Sequence, residues 1–460
     1  MIFTARDLAA GTGGRLVQDG PAGPVGTDSR RLQRGMWFLA LSGDRFDGHD
    51  FLPHAAAAGC AGAIGQRVPD GWSGGFIQVD DGLTALQALA RHVRGGFAGP
   101  VVGITGSAGK TTTRAMTALV LGALGEVHAT AGNLNNHIGL PLTLLAAPLG
   151  ARAWVIEMGM NHLGEIDLLQ DIAQPTVRVI TNVGPAHLEG VGSMDGVRRA
   201  KGELFDGARA GDICVVNHDD ARVRAHPLPP GVRVVRFGTT ADCEVRLTDA
   251  VVDPDQLVTR LRIETPDGSV LSTIDSPGVH LAWCALTAVA VGVALHIPAA
   301  TMGERLAQYR PVGMRQRIED GPLGIRVIND AYNANPLSMA ASLRTLAAIA
   351  GRRQVALLGD MLELGRFEDD LHDDIVRLAL SLDLDLVGLA GPRFAAAAER
   401  VGPAPQLVAA PDAPALARAV RGRIQPGDIA LLKGSRGLAM ESVLDALAGA
   451  GPTQPDAKDT

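Results

Sequence analysis

The eight residues Thr105, Gly106, Ser107, Ala108, Gly109, Lys110, Thr111 and Thr112 combine two glycines, one lysine and four hydroxyl groups in unbroken sequence. Glycines let a backbone wrap closely around an anion with its N–H groups pointing inward. A helix that starts at Lys110 aims the positive end of its dipole at the same anion. Lys110 adds a point charge for the outer phosphates, and the hydroxyl of Thr111 or Thr112 is a donor for Mg²⁺. The run departs from G-x-x-x-x-G-K-[ST], because Ile104 stands where the leading glycine belongs. The competing reading is a glycine-rich connection that carries a surface lysine. The apolar run Val101–Thr105 before it and the helical pattern after it favour nucleotide binding.

Three further residues bear on what the nucleotide is for. Glu157 ends the apolar run "AWVIE", His187 follows "VRVITNVGPA", and Lys201 lies early in a helical pattern, "RRAKGELF". A carboxylate oxygen suits Mg²⁺, which takes few protein ligands and keeps the substrate phosphates as others. Taken singly, His187 fits a capped loop position and Lys201 a solvated helix face, since a cationic lysine cannot ligate a metal. Later in the chain, Asp330, Tyr332 and Asn335 form a polar turn before Pro336. Asn-Pro is ordinary turn chemistry, yet beside a nucleotide domain these groups suit a ribose and base. Lys433, Ser435 and Arg436 close another apolar run and could hold a carboxylate, or form an exposed loop.

These residues need elements to position them. Short apolar runs ending in polar residues recur at 101–105, 153–159, 177–184 and 212–220, with helical segments between them. That alternation predicts an α/β unit with a mainly parallel sheet, whose ligands sit at the carboxyl ends of the strands. Residues 232–276 alternate valines with charges and read as a small antiparallel patch. Runs at 325–330, 354–360, 384–391 and 428–435 predict a second α/β unit of the Rossmann-like type. The stretch before Gly99–Pro100 ends in a helical pattern. The expected division is therefore 1–98, 99–311 and 312–460, with the tail 451–460 disordered.

Composition narrows the class. The 460 residues are 46% hydrophobic and 3% aromatic, and the formal net charge is −7. Sizeable cores can form, while a nucleic-acid protein would present a basic face and stacking aromatics. Cys60, Cys214, Cys243 and Cys284 are isolated, which fits reduced core thiols and a cytoplasmic location. The apolar stretch 280–297 is at the lower limit for a membrane span and reads as a buried helix.

Together these residues resemble the Mur ligase family, the ATP-dependent amide-bond enzymes of bacterial cell-wall synthesis. The phrases that carry the resemblance are "TGSAGKT", "DSRRLQRGMWFLALSGDRFDGHDF", "GNLNNHIGLPLTLL", "EMGMNHLGEI", "NVGPAHLEGVGSMDGVRRAKGELF", "NDAYNANPLSM", "GDMLELG" and "KGSRGLAMESV". The loop without its leading glycine is that family's own form. "YNANP" and the "KGSR…ME" ending favour the member that joins D-alanyl-D-alanine to a UDP-N-acetylmuramoyl-tripeptide.

The resemblance implies three α/β domains. A small N-terminal one binds the UDP substrate, through Ser29, Arg30, Arg45, Phe46, Asp47 and His49, with Asn133, Asn135 and Asn136 adding contacts from the middle domain. The middle domain binds ATP and Mg²⁺. The resemblance also implies that Lys201 is carbamylated and ligates Mg²⁺ with Thr111, Glu157 and His187. Arg315 matches the arginine that reaches the γ-phosphate on closure, and Lys433, Ser435 and Arg436 serve the dipeptide. Leu281 and Cys284 stand where the family's helix usually carries Asn, and His137 where an acidic or amide residue is commoner.

The expected partners are small molecules only, on a monomer. Two rivals remain. Folylpolyglutamate synthase shares the loop chemistry, but the UDP-type block and "YNANP" speak against it. A regulatory nucleotide-binding protein would have lost at least one of Lys110, Glu157, His187 and Lys201, and all four are present.

Overall fold

The computed structural model describes residues 1–43 and 46–449. Asp44, Arg45 and residues 450–460 lie outside them, and so do the expectations for Arg45 and for the tail 451–460. Among the described residues the chain builds three sheets of five, nine and six strands, each flanked by helices, plus a two-stranded ribbon.

In the nine-stranded sheet, Val101–Thr105 lies between Ala153–Glu157 and Val177–Ile180, parallel to both. All three strands are buried along their length. Successive side chains point to opposite faces, and the sequence honours that. Val102, Ile104, Val155, Val177 and Val179 enter one core with the helices Lys110–Leu121 and Val279–Ala294. Val101, Trp154, Ile156 and Ile180 enter another on the opposite face. Coverage on both sides is what parallel strands require. The loop after Val101–Thr105 therefore emerges at the carboxyl edge of the sheet centre.

The second core does not stop at residue 98. Phe3, Leu8, Trp37, Leu86 and Leu89 of the N-terminal part share it with Leu140, Leu144, Ile166 and Leu169. Helix Gly82–Gly95 makes the join, packing on Gly139–Leu145 and Glu165–Ala173.

Residues 232–276 form no separate patch. Arg233–Gly238 pairs parallel with Ile213–Asn217, Val245–Asp253 pairs parallel with Arg233–Gly238, and Val258–Thr265 and Gly268–Ile274 then extend the same sheet antiparallel. Their alternating pattern reflects a sheet end with one covered face. The stretch 280–297 is the buried helix Val279–Ala294, and no helix among the described residues is long and apolar enough to cross a membrane.

In the third sheet, Ile429–Lys433 lies between Arg326–Asp330 and Gln354–Gly359, all parallel. Alternate residues again feed two cores, Ile328, Leu358 and Leu431 on one face and Val327, Leu357 and Leu432 on the other. Strand order reverses there, and Asp330 and Lys433 sit at the carboxyl ends where such sheets bind ligands.

Candidate active site

A cleft of about 910 Å³ opens between the middle and third units, lined from one side by Ser107–Thr113 and from the other by Arg315, Asp330, Tyr332 and Asn335. The loop is shaped by its glycines. Gly106 has φ 151°, and a Cβ there would lie 1.8 Å from Thr181 Oγ1. Gly109 has φ 78° and caps helix Lys110–Leu121 without any side-chain bond, so the first N–H groups of the helix stay open to an anion. The loop is fastened from beneath. Thr105 Oγ1 donates to the Met158 carbonyl at 2.9 Å, Ala108 N–H to Asn182 Oδ1 at 2.9 Å, and Ser107 Oγ to the Gly184 carbonyl at 2.8 Å. Lys110 Nζ donates back to the Gly106 carbonyl at 2.8 Å. Desolvation lowers the Lys110 pKa against the raising effect of Glu157.

Glu157 is 2% exposed. Its two oxygens accept from Asn135 Nδ2 at 2.8 Å and from Arg114 Nη1 at 3.1 Å. Arg114, one turn beyond Lys110, also donates to the Gly132 carbonyl at 3.0 Å and so ties the 131–136 loop to the carboxylate. Removing one partner of so buried a pair costs roughly 3–5 kcal/mol. His187 caps its short helix in left-handed backbone, with Nδ1 2.6 Å from Glu363 Oε2 of the third unit. Desolvation lowers its pKa, with Glu363 pulling the other way. Lys201 is 1% exposed on helix Met194–Asp206 and has no hydrogen bond or ion pair among the described residues. Desolvation first, and the Lys110 charge second, push its pKa well below the usual lysine value.

The third unit contributes by contact as well as by position. Asn335 caps helix Pro336–Ala347 and also donates through Nδ2 to the Ser107 carbonyl at 3.0 Å. The Arg315 guanidinium stacks 3.9 Å from the Tyr332 ring centroid. Asp330 Oδ2 accepts from Lys433 Nζ at 2.5 Å and from Ser342 Oγ at 2.9 Å. Burial acts to raise the Asp330 pKa, and Lys433 outweighs it, so the net direction is down.

The other expected residues are distributed more widely. Thr111 and Thr112 open the helix, and Asn133 and Asn136 line the cleft. Asn136 Oδ1 accepts from Gly139 N–H at 2.8 Å and so shapes the following helix. Ser29, Arg30, Phe46, Asp47 and His49 lie on the N-terminal unit, outside the cleft lining. Arg30 pairs with Asp28 at 2.9 Å, Phe46 is exposed, and Asp47 Oδ1 lies 2.6 Å from His49 Nδ1. Ser435 is buried and accepts from Leu362 N–H at 2.9 Å, whereas Arg436 is more open and pairs with Glu441. Leu281 and Cys284 both line the cleft, with Cys284 Sγ 3.9 Å from the Gly109 carbonyl.

Sequence reasoning assigned no role to Arg114, Asn182 or Glu363. Arg114 had a findable signal, a cation four residues after Lys110 and hence on the same helix face. The other two meet the site only through tertiary folding.

What the arrangement can do follows from its charges. Lys110, Arg114, Lys201 and Arg315 gather near the loop and act on one another and on Glu157 and Glu363. Cations beside a glycine loop suit a polyphosphate, and stabilising charge on a transferring phosphoryl group is most of what its catalysis requires.

Comparison with known proteins agrees in detail. Family models match residues 24–94 (Mur ligase family, catalytic domain), 104–292 (Mur ligase middle domain) and 314–436 (Mur ligase, glutamate ligase domain). The chain is 35% identical over 429 residues to the UDP-N-acetylmuramoyl-tripeptide–D-alanyl-D-alanine ligase of Bacillus subtilis (strain 168), covering 92% of each chain. Its fold superposes on a crystal structure of MurF from Acinetobacter baumannii with a TM-score of 0.89 and 32% identity, over 98% of this chain and 99% of that one. MurF ligase from Thermotoga maritima, solved in complex with ADP, matches with a TM-score of 0.82 and 28% identity over 93% and 97%.

Proposed function

This chain belongs to the Mur ligase family, and from that membership we propose its reaction: the ATP-dependent joining of D-alanyl-D-alanine to UDP-N-acetylmuramoyl-tripeptide, forming a C–N bond in peptidoglycan synthesis. The observation that carries this reading is whole-length similarity to ligases of that reaction, on a chain that brings the loop, Lys110, Glu157, His187 and Arg315 together in one cleft.

A free carboxylate is a poor electrophile, so it must be activated. In the proposed sequence an oxygen of the tripeptide's terminal carboxylate attacks the γ-phosphorus of ATP, and ADP departs. The amine of the dipeptide then attacks the acyl carbon, loses a proton, and expels phosphate. Open N–H groups at the start of helix Lys110–Leu121 hold the phosphates, and Lys110 leaves the Gly106 carbonyl to meet them. Arg315, on the third unit, adds charge where it develops in the transition state. Asp330, Tyr332 and Asn335 are assigned to the nucleotide from the facing wall. Ser29, Arg30, Phe46, Asp47, His49, Asn133, Asn135 and Asn136 are assigned to the UDP substrate, and Lys433, Ser435 and Arg436 to the dipeptide. The assigned groups all come from one chain, and a monomer is the proposed state.

The family implies Mg²⁺. No three acidic, histidine or cysteine side chains among the described residues gather closely enough to hold a metal. The buried, partnerless Lys201 amine supports the missing donor, because a carbamate on it would add carboxylate-like oxygens that suit a hard cation. Thr111, Glu157, His187 and carbamylated Lys201 would then hold the ion. When bound, it would neutralise phosphate charge and orient the γ-phosphate.

The test is phosphate release from ATP with UDP-N-acetylmuramoyl-tripeptide, scored with D-alanyl-D-alanine and with single amino acids. Release is expected only when both the nucleotide peptide and the dipeptide are present. Rapid release from ATP alone would replace this reading with a simple ATPase.

A further inference from the structure

The turn that follows strand Gln354–Gly359 reaches across the cleft to the segment carrying His187. Glu363 stands there at φ 63° and His187 at φ 55°, both in left-handed backbone that non-glycine residues hold only where their surroundings fix it. Their side chains meet, His187 Nδ1 to Glu363 Oε2, at 2.6 Å. Main chain doubles the contact, with Glu189 N–H donating to the Glu363 carbonyl at 3.2 Å. Arg366 Nη2 donates to the Gly192 carbonyl at 3.4 Å, and a Cβ at Gly365 would lie 3.1 Å from Glu189 Cα. Leu362 N–H is in turn held by Ser435 Oγ at 2.9 Å. The carboxylate is thus set in place from both sides of the turn. As an ion pair it contributes little to stability, because the Glu363 side chain is 55% exposed. Its geometry matters more than its energy.

We propose that Glu363 is a positioning residue of the ligase reaction: it accepts the Nδ1 proton of His187, fixes the tautomer and plane of the ring, and leaves Nε2 as the unprotonated donor. The proposal rests on the function assigned above. The two ring nitrogens of a histidine are chemically distinct, and the bond made by one decides what the other can do. Because Glu363 belongs to the third unit and His187 to the middle one, the ring is set only while the two units are docked. The phosphoryl site is then completed by the unit that brings the amine, so acyl phosphate forms only where a nucleophile is at hand.

The direct test is ¹⁵N spectroscopy of imidazole-labelled full-length protein without added metal, with the His187 signals identified by their loss in His187→Gln. Wild type is expected to show a single Nδ1–H tautomer, Glu363→Gln to retain it through its amide oxygen, and Glu363→Ala to show the two tautomers in exchange. Unchanged His187 signals in Glu363→Ala, or an Nε2–H ring in wild type, would overturn the proposal. In a second arm, Glu363→Ala is expected to raise the Mg²⁺ concentration for half-maximal turnover roughly 10–100-fold, with KM for the nucleotide peptide unchanged. An equal loss at every Mg²⁺ concentration would overturn the link to the metal donors. If wild type failed to turn over these substrates, the function assigned above would fall, while the spectra would still decide the role of Glu363.

Discussion

Lys201 lies on helix Met194–Asp206 with its charge shielded from water and unmatched by any acid. Burial favours the neutral amine, and a neutral amine can add to carbon dioxide, losing one proton to form a carbamate. Lys201→Ala is therefore expected to abolish turnover nearly completely, and added formate or acetate to restore part of it by filling the vacated position. Normal activity in that variant would remove the residue from the mechanism, and inactivity without rescue would leave it a structural role. Arg315 makes a second case. It stacks on Tyr332 across from the loop, so Arg315→Ala is expected to lower kcat roughly 10²–10³-fold with little change in ADP affinity by calorimetry. A loss of ADP affinity with kcat intact would contradict the role on closure. Loop residues were legible in the sequence because their chemistry is local. The isolation of Lys201 was not, since helix position alone equally allowed a solvated face.

At the scale of elements, the loop depends on one strand-to-helix turn. At Gly106 any side chain must displace Thr181, whose Oγ1 also donates to the Ala108 carbonyl at 2.8 Å. Gly106→Ala is expected to weaken ADP binding at least about 100-fold while costing about 1–3 kcal/mol in unfolding free energy, measured by calorimetry and denaturant titration. Ordinary ADP affinity would show that the loop does not need this backbone. The strands around the loop were readable because five buried residues in a row, bounded by glycine and polar groups, stand out. The N-terminal sheet was not, since its strands Val25–Gly26, Trp37–Leu39 and Gly62–Gly65 are too short to show a period. Arg317–Asp320 and Leu407–Ala410 were missed at the edges of the third sheet, where partial exposure erases the apolar signal.

At the scale of the whole molecule, the middle and third units meet over polar groups, of which Asp330, Lys433 and Thr345 are buried and His280 is half-buried. His280 starts helix Val279–Ala294 and faces Asp330, Lys433 and Thr345 of the third unit, with Nδ1 3.4 Å from Thr345 Oγ1. Desolvation, partly opposed by Asp330, lowers its pKa from 6.5 to about 4. A depressed histidine pKa means that the folded chain refuses a proton the unfolded chain accepts. Stability from this group is full above pH 6.5, falls as pH drops toward 4, and levels off below it. The loss is on the order of 1–3 kcal/mol. His280→Gln is expected to flatten the fall in unfolding temperature across that window, and an unaltered slope would exclude His280 as its source. Such pairings escaped the sequence because they join residues far apart in the chain, and spacing carries no record of which surfaces meet.

The Asn335 amide that grips the Ser107 carbonyl has a further consequence. It lies over the phosphate loop, two residues before Leu337, which sits so close to Gly184 that a Cβ there would lie 3.0 Å from it. Release of spent nucleotide past these residues is expected to need the two units to swing apart through solvent, and opening of this kind sets the turnover of many enzymes. Friction with the medium then becomes a kinetic variable. Added sucrose is expected to slow kcat in proportion to relative viscosity, and Asn335→Ala to weaken that dependence, whereas a kcat indifferent to viscosity in wild type would place the slow step in the chemistry.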